Sequence, residues 1–142
     1  GEVVEPITME HFFTREGANA GAKMPLYLPD GTISEHFVVV LGTDSDLFRK
    51  AEMEAKRAAA NIAQIENAET RDSMIAEEQL NLIASLVTGW SFPQECTKKN
   101  VLRFLKEAPQ IAENINTYAA QRSNFVKKKN NSSLIGSPKN QS

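Results

Sequence analysis

The sequence predicts an α+β fold that is mostly α: an N-terminal β-hairpin, then about four helices, then a disordered C-terminal tail. Three observations predict it. Pro29-Asp30-Gly31 separates two β-rich runs, and apolar residues then recur at three- and four-residue steps as far as Val126. The last sixteen residues are polar and lysine-bearing, with Leu134-Ile135 too little apolar surface to offset ordering entropy. On this reading residues 1–126 form one domain, comprising an acidic arm over 1–23, the hairpin over 24–41 and a helical part over 43–126. Residues 127–142 form a flexible basic and polar tail.

The arm contains Thr8 to Phe13, read as a short helix, followed by a loop-like stretch marked by Gly17 and Gly21. In the hairpin, proline presets the first turn dihedral and glycine supplies the positive φ that closes it. Its second strand places Ile33, Glu35, Phe37, Val39 and Leu41 on one face and Ser34, His36, Val38 and Val40 on the other. Two strands alone are marginal in water, so the hairpin must lean on helices or pair with another strand.

Thr43 is read as the cap of the first long helix, with Asp46 three residues on, and the helix is expected to reach about Glu66. Leu47, Phe48, Ala51, Ala55, Ala58, Ala59, Ile62 and Ile65 form its stripe, and the alanines allow a neighbouring helix to approach closely. A second helix is expected from Thr70 to Gly89, with Ile75, Ala76, Leu80, Ile83, Leu86 and Val87 as its stripe and Gly89 as its stop. Thr97 caps a third helix to about Glu107, with Val101, Leu102 and Leu105 facing inward. Pro109 opens a fourth, reaching about Val126 and burying Ile111, Ala112, Ile115, Tyr118, Ala119 and Phe125.

Composition narrows the function classes. The 142 residues carry 16 Lys plus Arg against 18 Asp plus Glu, a net charge of -2. That lacks the basic footprint of a nucleic-acid binder. No run approaches the roughly 18 to 20 apolar residues of a membrane span, and the first residues show neither the basic nor the apolar region of a signal peptide. Cys96 is the single cysteine, which fits a reduced cytosolic setting.

Catalytic and metal constellations fail at the level of residue inventory. Cys96 with His11 or His36 lacks an orienting third group, and the two histidines have no third partner at metal-ligand spacing. Asp44-Ser45-Asp46 resembles a cation loop, but Arg49 and Ala55 stand where an EF-hand needs glycine and glutamate. No phosphate-cradling glycine loop is present. The sequence therefore points to no catalytic residue, no metal and no cofactor, hence to a non-enzyme. What remains is an interaction signal: Leu86, Val87, Trp90 and Phe92 crowd together, either plugging the core or lining a groove for a partner's amphipathic helix. Phe37 and Val39 of the hairpin are candidate contacts for a homo-oligomer.

The order of segments resembles the tail assembly chaperones of long-tailed bacteriophages. The stretches that carry the resemblance are Met24 to Gly31, Gly42 to Phe48 opening an alanine-rich helix, Leu82 to Phe92 with Gly89-Trp90, and Cys96 to Phe125 with Ala108-Pro109-Gln110-Ile111. The resemblance implies a non-enzymatic protein of the infected cell's cytoplasm, absent from the mature virion. Its partner would be the tape measure protein, whose apolar helical surface it keeps soluble until tail tube subunits displace it. In several members a ribosomal frameshift adds a domain that recruits the tail tube protein, which would place the slippery codons near Lys127 to Lys129 or Pro138-Lys139. The alternative is a structural virion component, such as a tail terminator or head-tail adaptor.

Overall fold

The computed structural model describes residues 5–126; the tail expected from Lys127 onward, and residues 1–4, lie outside the described residues. The hairpin forms around the expected turn. Strand β1, Ala22–Tyr27, runs antiparallel to β2, Ile33–Val40, with Met24 opposite Val38 and Lys23 opposite Val39. Gly31 has φ 92°, and Asp30 Oδ1 accepts bonds from the Thr32 amide at 2.9 Å and hydroxyl at 2.7 Å. Those bonds favour the charged form and hold the Asp30 carboxyl below its ordinary range. Pro25 is tolerated because β1 is an edge strand.

What steadies the hairpin is a third strand. β3, Val87–Trp90, pairs antiparallel with β2, placing Trp90 opposite Val38 and Gly89 opposite Val39. This corrects the expectation of a helix continuing to Gly89. The helix stops at Ala84, and the Leu86 carbonyl accepts the Leu41 amide at 2.8 Å, starting the sheet contact. The β-branched and aromatic residues that follow are claimed by β2's free edge, so tertiary pairing overrides the helical period.

Ser45, rather than Thr43, caps α2, Asp46–Ile62: its buried hydroxyl accepts from the Phe48 amide at 3.3 Å. The Thr43 amide instead donates to the Ala119 carbonyl. Asn67 caps α3, Ala68–Ala84, so α2 ends four residues before Glu66 and α3 starts two before Thr70. α2 buries only Phe48 and Ile62. Between them, half-buried Ala51, Ala55 and Ala58 form the expected alanine seam, and α2 packs chiefly along α3. Thr97 caps α4, Lys98–Glu107, and Pro109 opens α5, Pro109–Ala120, as the sequence predicts. α5 ends short of Val126, and a 3₁₀ turn, Arg122–Phe125, follows it.

The core lies between one sheet face and helices α3, α4 and α5. Met24, Leu26, Val38 and Val40 meet Leu86, Val101, Leu105, Ile111, Ile115 and Ala119. Each fully buried aliphatic side chain there contributes about 1.5 to 3 kcal/mol of transfer free energy. Ile75 and Ala76, expected in the α3 stripe, are instead exposed, because the sheet and α4 meet only the C-terminal half of that helix.

The N-terminal arm departs most from expectation. A 3₁₀ turn, Met9–Phe12, is followed by α1, Arg15–Ala20, where the glycines had suggested a loop. Gly21, at φ 77°, ends α1. One ion pair fastens this arm to the first turn of α2, and a second ties the C-terminal 3₁₀ turn to the loop before α2. Arg15 grips Asp46 with two bonds of 2.7 Å, and Arg122 grips Asp44 at 2.6 and 2.9 Å.

The Arg122 guanidinium, helped by the Thr14 hydroxyl, holds the Asp44 carboxyl at about 2. A carboxylate depressed on folding stabilises fully above its ordinary value near pH 4, and the contribution disappears as pH falls through the folded value. Arg122→Gln is expected to raise the Asp44 titration midpoint toward the ordinary range. Carboxyl NMR titration of the two proteins checks this.

Candidate functional site

β3 and α4 converge on an open cleft of about 350 Å³. Its walls are Trp90, Phe92 and Phe104, and Gln94, Asn100, Arg103 and Glu107 line it as well. The three rings meet edge to face: Trp90 and Phe92 centroids lie 5.3 Å apart, Phe92 and Phe104 5.2 Å, Trp90 and Phe104 5.8 Å. This is the favoured aromatic geometry, and each such contact adds about 0.5 to 1.5 kcal/mol beyond area burial.

The loop after β3 pins the rings. Trp90 Nε1 donates to the Gln94 carbonyl at 2.7 Å, so the indole's polar edge is satisfied within the chain and its apolar body is left for the cleft. Asn100 Nδ2 donates to the Glu95 carbonyl at 2.9 Å, tying the loop to the first turn of α4. From β2, the Phe37 amide donates to Ser91 Oγ at 2.8 Å, and His36 Nδ1 lies 2.9 Å from the same oxygen. The His36 ring rests 4.7 Å from that of Phe92, closing the back of the cluster.

Of the residues the sequence singled out, Trp90 and Phe92 line this cleft. Val87 is half-buried on β3 but does not line it. Leu86 is 0 % exposed and therefore belongs to the core; the expectation that it offers contact surface is corrected. Its place at the helix-to-strand switch turns it under the sheet. Phe37 and Val39 lie on the opposite sheet face from buried Val38 and Val40, half-buried, with Lys23 Nζ 4.6 Å from the centre of the Phe37 ring. They are not part of the cleft. Sequence reasoning missed Phe104, although it sits three residues after Val101 and extends that helix's apolar stripe toward β3.

The titratable residues weighed for chemistry are engaged elsewhere. The His11 ring caps its own 3₁₀ turn by accepting the Thr8 amide at 2.9 Å. Burial pushes the half-buried Cys96 thiol up, the opposite of what a nucleophile needs. Asp44 and Asp46 are held by arginines, and Glu77 pairs with Lys106 at 3.3 Å. Among the described residues no group of three or more His, Cys, Asp and Glu is placed to hold a metal ion, and no helix is long and apolar enough to cross a membrane. The cleft thus presents pinned aromatic rings bordered by polar side chains.

No curated protein and no solved structure matches the chain. A family model described as phage tail assembly chaperone matches residues 44–130, a stretch that opens with the aspartates gripped by Arg15 and Arg122 and runs through the whole cleft. That is well over half of the sequence, and the chain therefore belongs to the phage tail assembly chaperone family.

Proposed function

We propose that this protein binds the tape measure protein of its phage and keeps it soluble until tail tube subunits assemble around it, without making or breaking covalent bonds. The observation that carries this reading is the cleft of Trp90, Phe92 and Phe104. A tape measure is a long helical chain with apolar surface to hide before its tube exists. A ridge of apolar side chains on such a helix suits a groove of aromatic rings with polar groups at its border. Many copies, each of modest affinity, would add up along one rod and still be displaced one at a time. On this reading the protein works in the host cytoplasm and leaves before the virion is finished. A frameshifted longer form would be the route by which tube subunits are recruited.

Co-expression with the tape measure gene product, followed by pull-down and a solubility assay, tests the proposal. The native chain is expected to carry the client into the soluble fraction. The double variant Trp90→Ala, Phe104→Ala removes two anchors and is expected to weaken binding by at least about 30-fold, the equivalent of a 2 kcal/mol hot spot. Circular dichroism must show that it remains folded. A client equally insoluble with or without the protein would overturn the proposal. Recovery of the protein from purified particles would point instead to a tail terminator or adaptor.

A further inference from the structure

We infer that the cleft selects its occupant by charge: Arg103 and Glu107 read an amphipathic helix whose apolar stripe is bordered by one acid and one base a turn apart. Four of the seven residues lining the cleft come from α4: Asn100, Arg103, Phe104 and Glu107. Their spacing puts them on one face of that helix, a strip about 10 Å long. Phe104 lies within it, its ring centroid 5.8 Å from that of Trp90 and 5.2 Å from that of Phe92. Aromatic rings accept apolar side chains with little discrimination, so the choice among apolar helices falls to the two charges beside them.

Both charges are available to a partner. Arg103 and Glu107 are exposed, and neither makes an ion pair among the described residues. They stand four residues apart, the spacing at which helix neighbours pair, but base before acid is the weaker order. Lys106, between them in sequence, turns away to Glu77 on α3. The other polar residues of the cleft, Gln94 and Asn100, carry no charge. The strip therefore offers one cation and one anion, about 6 Å apart along α4.

A helix laid along α4 matches this pattern. Residues four apart on it rise by the same distance, so an acid can face Arg103 and a base Glu107 while an apolar residue between them enters against Phe104. A helix with acids at both border positions would set one against Glu107, and a helix with bases at both would set one against Arg103. Each misplaced charge weakens binding. The order of the two charges also fixes which way the occupant lies: acid before base runs parallel to α4, base before acid antiparallel. That a helix fills the cleft at all rests on the function proposed above.

Trp90 is the single tryptophan of the chain, so its fluorescence reports occupancy of the cleft directly. The probes are alanine-based helical peptides without tryptophan, sharing one leucine stripe. Two border positions four residues apart carry an acid and a base, two acids, or two bases. At low salt the native chain should bind the mixed peptide about 3- to 10-fold more tightly than either other, the size of an exposed ion pair gained against one repelled, and added salt should shrink the difference. Glu107→Arg should move the preference to the acidic peptide and Arg103→Glu to the basic one. Both positions are exposed on α4, and circular dichroism checks that the variants fold. No binding of any peptide, equal affinity for all, or an unchanged ranking in the variants overturns the inference. Co-expression with the tape measure judges the function separately. A client kept soluble by a chain that ranks the peptides equally sinks only the charge rule, and a client left insoluble by a chain that discriminates among them sinks only the client reading.

Discussion

Leu86→Ala is expected to cost about 2 to 5 kcal/mol of stability, among the largest effects of any single substitution here. Leu86 is wholly buried at the point where α3 gives way to β3, within the cluster that includes Val38, Val40, Leu105 and Ile115. Its truncation removes three carbons from a close-packed site. The backbone there is already fixed by the bond from the Leu41 amide, so the surroundings collapse poorly into the space. Denaturant unfolding should show a lower midpoint with an unchanged slope. A loss below about 1 kcal/mol would mean that the switch region relaxes freely.

The second large effect is a substitution that helix propensity alone would favour. Gly17→Ala lies inside α1, where replacing glycine ordinarily gains about 1 kcal/mol. Here an added Cβ would stand 2.1 Å from the Phe125 carbonyl oxygen and 3.2 Å from its carbon. Both are main-chain atoms, which cannot swing aside as a side-chain tip would. Either α1 or the C-terminal 3₁₀ turn must move, disturbing the packing of Phe125 against Tyr118, whose rings lie 5.7 Å apart. We expect a net destabilisation of about 1 to 3 kcal/mol by denaturant unfolding, with faster amide exchange in α1 and the Arg122–Phe125 turn. A stabilised variant would show that α1 does not rest on Phe125.

The same two positions show what a sequence reveals and what it conceals. The Pro29-Asp30-Gly31 turn, the Thr97 cap and the Pro109 helix start are legible because each is decided within four residues by backbone chemistry. β3 is not decided locally: Leu86 and Val87 continue a helical spacing, and only the free edge of β2 makes Val87 to Trp90 a strand. α1 is hidden for the same reason, its glycines disguising a helix that needs a bare backbone against Phe125. In the cleft, Trp90 and Phe92 stand out as neighbours in sequence. Phe104, from the next helix, joins them only through the fold, and Leu86, close in sequence, is turned away into the core.

The sheet's borders bear on crowding. β3 is only four residues long with an irregular register, while on the opposite margin Pro25 lacks an amide hydrogen and the Lys23 carbonyl is already taken by the Tyr118 hydroxyl at 3.2 Å. Neither rim offers the long, regular row of vacant amides and carbonyls on which chains accrete into cross-β aggregates. Molecules gathered at high local density can therefore touch through their side chains and part again, instead of fusing backbone to backbone.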